Sequence, residues 1–332
     1  MTTLIDVKNL RTHFFTDEVL VKAIDGVDFT IPEGRIVCIV GESGSGKSMT
    51  GRSILNMVPR PGRIIDGEIL WSPRGAAPID LLQFGKDSPE IRKLRGKDIA
   101  LISQEPMAAL SPVHTIGNQM VETIRLHLGL GRPEAKERAI EALDSVGIPD
   151  PRSRFDAYAF QLSGGMRQRV CIALGIQCQP KLLIADEPTT ALDVTTQANI
   201  LDLFRNLRDE RGVSTLFITH DLGVVAEIAD DVVVMYLGQV VEQGPVRQIF
   251  HDPLHPYTRA LLESVPRLSP IRKERLSTIR GMVPSPYDRP EGCLFSTRCD
   301  FVKPGLCDVV MPEINRTEDG RTARCLRLGE VA

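Results

Sequence analysis

Apolar and polar positions alternate through residues 4–31 and break at Asp17-Glu18, so the chain opens as two antiparallel β-strands. The next run, Arg35-Ile36-Val37-Cys38-Ile39-Val40, does not alternate. A continuous apolar segment of this length predicts a strand buried on both faces. A glycine-rich turn follows, and the pattern from there to residue 57 is helical. Ile65-Asp66-Gly67-Glu68-Ile69-Leu70 and Ile79-Asp80-Leu81-Leu82 predict short edge strands around a polar loop at 72–78. From 116 to 178 the period lengthens to that of helices. One runs from Ile116 to Leu128, one has Pro133 at its first position and continues to Val146, and one runs from Gly165 to about Cys178. Segments 181–187, 195–212, 214–219 and 222–230 then alternate strand and helix, and Asp231 to Gly244 predicts a closing hairpin with Gly238 at its turn. This order predicts an α/β fold. A mostly parallel core sheet with helices would carry an antiparallel β part and an inserted α-helical part.

The 332 residues exceed one ordinary domain and predict a main body with an appendage. Forty basic against forty-three acidic residues give a net charge of −3, which provides no long-range attraction to nucleic acid. No run approaches the ~18–20 apolar residues needed to cross a bilayer. The segment Met1-Thr2-Thr3-Leu4-Ile5-Asp6 lacks the basic and apolar regions of a secretory signal. A membrane role is therefore expected to come through a partner.

The chemistry is concentrated in three segments. Gly41-Glu42-Ser43-Gly44-Ser45-Gly46-Lys47-Ser48 follows a buried strand and opens a helix, the context of a phosphate-binding loop. Its glycines allow backbone N–H groups to approach phosphate oxygens, Lys47 reaches the β- and γ-phosphates, and the Ser48 hydroxyl is a Mg²⁺ ligand. Lys181-Leu182-Leu183-Ile184-Ala185 is a second buried strand, which delivers Asp186 and Glu187 to the carboxyl edge of the sheet. Leu162-Ser163-Gly164-Gly165-Met166-Arg167-Gln168-Arg169 opens a helix and distinguishes this chain from most other nucleotide hydrolases. Together the three segments resemble the ATP-binding cassette (ABC) family.

The resemblance implies roles for further residues. Asp186 corresponds to the Mg²⁺-orienting carboxylate and Glu187 to the catalytic base that polarises the attacking water. His220, after the strand Ser214-Thr215-Leu216-Phe217-Ile218-Thr219, resembles the switch histidine, and Gln104 resembles the hinge glutamine that contacts Mg²⁺ and water. Phe14 is placed like the aromatic that stacks on adenine, with Phe15 beside it. Pro188-Thr189-Thr190-Ala191-Leu192-Asp193 follows as the family's D-loop does, and Met49 and Asp193 join the expected nucleotide contacts. Ser163, Gly164 and Gly165 would cap the γ-phosphate bound on an opposite subunit, which implies two composite sites in a head-to-tail dimer.

Two segments narrow the resemblance. Gln104-Glu105-Pro106-Met107-Ala108-Ala109-Leu110-Ser111-Pro112 is similar to the form in ATPases of peptide and nickel importers, its two prolines suggesting a confined, rigid loop. Ile249-Phe250-His251-Asp252-Pro253-Leu254-His255-Pro256-Tyr257-Thr258-Arg259-Ala260-Leu261-Leu262 resembles the tail that joins the ATPase core to the extra domain of oligopeptide and dipeptide importer ATPases. His251 and His255 read there as structural residues of a fixed elbow. The expected division is an ATPase domain over 1–250, with its helical part at about 105–178, and an extension over 251–332.

Four of the seven cysteines, Cys293, Cys299, Cys307 and Cys325, lie in that extension with spacing C-x5-C-x7-C-x17-C. A chain at the cytoplasmic side of a membrane is not expected to use them as disulfides, and close C-x2–4-C zinc pairs are absent. Some peptide-importer ATPases carry a [4Fe–4S] cluster in this extension, and Gly292-Cys293-Leu294-Phe295 and Arg298-Cys299 match that pattern. Leu326 stands where family members often have histidine. A cluster, a zinc ion and unligated thiols remain open alternatives. Cys38, Cys171 and Cys178 fall within regular elements and read as small core residues.

The resemblance implies an ATP- and Mg²⁺-dependent subunit that powers import of dipeptides or oligopeptides from the cytoplasmic face of a bacterial membrane, to which it is peripheral. Its implied partners are a second, related ATPase subunit, two membrane permeases and an extracytoplasmic substrate-binding protein. Nickel or oligosaccharide import is the alternative within the class, and a soluble ABC ATPase of DNA repair or translation the alternative outside it.

Overall fold

The computed structural model describes residues 2–190, 192–265, 278–285 and 287–330. The chain forms two compact units that interleave in sequence. One gathers the segment ending at Ile5, Ile31–Ile36 and Trp71–Ile218; the other gathers Asp6–Thr30, Val37–Leu70 and the chain from Thr219 onward.

In the first unit, the strands Ile99–Ile102, Leu182–Asp186 and Ser214–Ile218 run parallel, with Ile99 opposite Leu182 and Leu182 opposite Ser214. Every residue of the last two is buried, which suits the apolar residues that make up most of each. Helix Gly164–Ile176 lies close enough to the sheet that a Cβ on Gly175 would meet Ile102 Cγ1 at 2.9 Å. Helix Val194–Arg211 is capped by Asp193 and ends at left-handed Gly212. The helical part contains Ile116–Leu128, capped by Thr115, and Arg132–Ser145, whose ends fall within two residues of those expected.

Several short elements differ from expectation. Ile79-Asp80 is extended, but Leu81–Gln83 turns into a 3₁₀ helix because the Asp80 carboxylate accepts the Leu82 N–H. Pro106 opens the short helix Pro106–Ala109 where a confined loop was expected, since a proline without an N–H is tolerated at a first helical position. Pro89–Leu94 and Pro151–Phe155 are further proline-initiated helices too short to register as a period.

In the second unit, Leu20–Pro32, Thr3–Phe15 and Gly62–Trp71 lie side by side in that order. Strand Ile36–Val40 pairs in parallel with Asp231–Tyr236, which turns at Gly238 into Gln239–Pro245 as the predicted hairpin. The C-terminal segment then returns to this hairpin. Thr322–Ala323 pairs antiparallel with it, Ala323 opposite Glu242, and Asn315–Arg316 adds beyond.

The elbow at residues 251–258 is fixed from inside. Glu242 is fully buried, and its two carboxylate oxygens accept the N–H groups of Leu254 at 2.8 Å and His255 at 2.9 Å. His255 in turn caps helix Pro256–Glu263, Nδ1 accepting the Tyr257 N–H at 3.0 Å. Burial holds the neutral imidazole, lowering its pKa from 6.5 to about 3. Between those two values the unfolded chain binds a proton that the folded chain does not, so stability falls as pH drops below 6.5. In His255→Asn, which keeps a capping acceptor, the Tm measured between pH 7 and pH 5 should depend less on pH than in the parent. An unchanged slope would disprove the buried neutral ring.

Candidate active site

The glycine loop is built by close backbone approach in the second unit. A Cβ on Gly41 would lie 2.2 Å from the Met235 carbonyl oxygen and one on Gly46 would lie 2.5 Å from that of Ala23, and both residues have positive φ. Only glycine fits either position. Gly46 leads directly into helix Lys47–Ile54, so the loop ends where a helix exposes its first N–H groups. Lys47 is buried, and its ammonium donates to the carbonyls of Gly41 at 2.7 Å and Glu42 at 2.9 Å. Ser48 and Met49 lie in the first turn of that helix, Ser43 and Gly44 at the exposed crest of the loop, and Ser45 accepts the Gly238 N–H through its carbonyl at 3.0 Å.

Two further supports come from residues that the sequence reading did not assign to this loop. Tyr257, fully buried, accepts the Glu42 backbone N–H at its phenol oxygen, at 2.9 Å. Arg298 grips the Glu42 carboxylate with both terminal nitrogens, at 2.6 and 3.0 Å. His220 is exposed after strand Ser214–Ile218, and the neighbouring Asp221 caps helix Leu222–Ile228. Phe14 is half-buried with its ring against Gly62, while Phe15 is exposed beneath the Arg63 guanidinium, 5.7 Å away.

In the first unit, buried strand Leu182–Asp186 ends with Asp186 itself buried. Glu187 then takes a left-handed conformation, φ 47°, with its N–H bound to the Ile218 carbonyl at 2.9 Å. Such a backbone costs about 1–3 kcal/mol at a non-glycine residue and persists only where the surroundings impose it. One oxygen of the Glu187 carboxylate accepts Gln104 Nε2 at 3.1 Å and the Thr190 hydroxyl at 3.0 Å. The structure therefore brings Gln104 and Glu187 together, and adds Thr190.

Ser163 caps helix Gly164–Ile176, its hydroxyl accepting the Met166 N–H at a long 3.3 Å. Ser163 and Gly164 are exposed, leaving the start of this helix open. Arg167 on the same helix reaches the Met107 sulfur at 3.1 Å, which joins the segment after Gln104 to the signature helix. Asp193 is engaged within its own helix, accepting from the Thr196 N–H and hydroxyl at 2.9 and 2.7 Å, and these bonds lower its pKa. Ala191 lies outside the described residues.

Cys293, Cys299, Cys307 and Cys325 line one small cavity in the second unit, with Phe295, Phe301, Leu326 and His255. None forms a disulfide. Gly292 packs against the backbone at Cys307, and the Cys293 N–H donates to the Cys307 carbonyl at 2.8 Å. Backbone N–H groups of Lys303 and Arg327 point at the sulfurs of Cys307 and Cys325, both at 3.4 Å. Burial pushes the Cys293 thiol up to about 11, and the three other thiols act in the same direction. Among the described residues, no group of three or more His, Cys, Asp or Glu side chains is arranged to hold a metal ion. The four cysteines expected to hold a metal group thus share a cavity, but among the described residues they form no metal-holding arrangement. Cys38, Cys171 and Cys178 are buried, as read from the sequence.

Among the described residues no helix is long and apolar enough to cross a membrane. The family model described as ABC transporter matches residues 24–190, and that described as oligopeptide/dipeptide transporter, C-terminal region, matches 241–307. The chain is 48% identical over 335 residues, covering 99% of it and 98% of its relative, to a Brucella melitensis protein named for peptide import and ATP binding. It is 45% identical to the dipeptide transport ATP-binding protein DppD of Escherichia coli, covering 97% of this chain and 96% of that one. A solved ATP-binding cassette, dimeric in a post-hydrolysis state with ADP and Pi, superposes with TM-score 0.65 at 27% identity, over 73% of this chain and 99% of the other. With the glycine loop, the acidic strand end and the signature helix each in its element, the chain belongs to the ABC transporter family.

Proposed function

We propose that this chain is the ATP-hydrolysing subunit that powers import of dipeptides or oligopeptides through membrane permease partners, to which it binds peripherally on the cytoplasmic side. The observation that carries the catalytic part is Glu187, strained just beyond a buried strand and held at one oxygen by Gln104 and Thr190. Glu187 serves as general base for the attacking water. The Gly41–Gly46 backbone and Lys47 bind the β- and γ-phosphates, with Ser43, Ser45 and Met49 lining the same loop, and Phe14 takes the adenine. His220 holds the γ-phosphate and the attacking water. Ser48, Gln104 and Asp186 carry oxygen donors of the kind a hard cation takes and would be its ligands, and Mg²⁺ would supply neutralisation of the charge developing on the phosphates.

Glu187→Gln should keep ATP binding and lose ~10²–10⁴ in turnover, whereas Lys47→Ala should weaken both. Near-normal turnover of Glu187→Gln in the assembled transporter would refute the role of Glu187.

The open start of helix Gly164–Ile176 supports a second role, completing the nucleotide site of a partner subunit with Ser163, Gly164 and Gly165. Asp193 would meet the same interface. The partner we propose is a related but distinct ATPase. A mixed dimer carrying Ser163→Arg in one subunit should lose hydrolysis at one site only, and full activity in a strictly monomeric preparation would exclude the shared site.

The cysteine cavity supports a [4Fe–4S] cluster over zinc. A cluster takes one thiolate at each of four irons, and four cysteines line this one cavity. Backbone N–H groups directed at the sulfurs of Cys307 and Cys325 would serve as hydrogen-bond donors to a bound cluster. Anaerobically purified protein should be brown, with about four irons and about four sulfides per chain, and Cys299→Ser should be colourless. Stoichiometric zinc without iron, or no metal at all, would overturn the cluster.

A further inference from the structure

The phosphate-binding loop is held by residues from the other end of the chain. Glu42, the second residue of the loop, is anchored at two points. Its N–H donates to Tyr257 Oη at 2.9 Å, and its carboxylate takes both terminal nitrogens of Arg298 at 2.6 and 3.0 Å. The Arg298 side chain is only 3% exposed and is itself fixed, Nε donating to the Arg280 carbonyl at 3.0 Å and a terminal nitrogen reaching Tyr236 Oη at 3.4 Å. Tyr236, Tyr257 and Phe295 pack ring against ring, with centroids 4.6 to 5.4 Å apart. Glu42 also gives its carbonyl to Lys47 Nζ at 2.9 Å, so the residue that receives the anchor also positions the phosphate-binding ammonium.

From this geometry we propose that Arg298 and Tyr257 are positioning residues for nucleotide binding, acting through Glu42 on the course of the glycine loop and the placement of Lys47. The proposal rests on the reading of that loop as the ATP site. A bidentate guanidinium–carboxylate pair fixes direction as well as distance, which a lysine cannot reproduce. Because Arg298 lies between Cys293 and Cys299 along the chain, the loop is tied to the same segment whose cysteines line the cavity.

The test measures ATP binding and Tm on the full chain for Arg298→Ala, Arg298→Lys, Glu42→Gln and the double variant Arg298→Ala/Glu42→Gln. Arg298→Ala is expected to weaken ATP binding about tenfold. Arg298→Lys should recover part of that loss, and the double variant should bind no worse than either single one, because both remove the same link. Glu42→Gln, on a partly exposed side chain, serves if Arg298→Ala does not fold. Parental affinity in Glu42→Gln, or losses that simply add in the double variant, would overturn the proposal. Lys47→Ala measured alongside separates the two readings. If it binds ATP normally, the assignment of the loop itself fails; if it alone loses binding, only the positioning role does.

Discussion

A strand buried on both faces has no place for a charged side chain except at its ends, and this constraint organises the molecule. Ile36–Val40, Leu182–Asp186 and Ser214–Ile218 are buried along their length. Their charged residues therefore appear where each strand stops, while the polar Ser214 and Thr215 lie buried at the start of one. The glycine loop, Asp186 with Glu187, and His220 all follow a strand immediately. Desolvation disfavours charged groups within the core, so each unit carries such residues at or beyond the ends of its own buried strands.

What the strands deliver, local geometry then restrains. Gly41 and Gly46 are closed in by the carbonyls of Met235 and Ala23, so the loop cannot carry side chains at those points. Glu187 accepts a left-handed backbone, and Gln104 and Thr190 both bind one of its oxygens. The strain is local, while the support for it comes from the burial of the strand behind it.

The C-terminal segment is integrated with the second unit rather than appended by a tether. It contributes Thr322–Ala323 to the hairpin, fixes its elbow on the buried carboxylate of Glu242, and places Arg298 on the glycine loop. Each of these joins a polar group of the segment to a polar group earlier in the same unit. Buried groups of this kind are tolerated because each is paired.

The elements, their order and most site residues were legible in the sequence, because they depend on interactions that short segments carry with them. Apolar periodicity marked Ile116–Leu128, Arg132–Ser145 and the buried strands, and glycine spacing marked the phosphate loop. Short proline-initiated helices such as Pro106–Ala109 were not legible, since one turn is too short to show a period. The roles of Thr190, Tyr257 and Arg298 were hidden for a different reason. Arg298 is 256 positions from Glu42 and Tyr257 is 215, and nothing in the residues between them encodes that they meet. The shared cavity of the four cysteines likewise depends on loops folded against each other at Gly292 and Cys307. Local pattern determined which chemistry the chain carries; only tertiary packing decided which side chains hold it in place, because burial turns distant polar groups into obligatory partners.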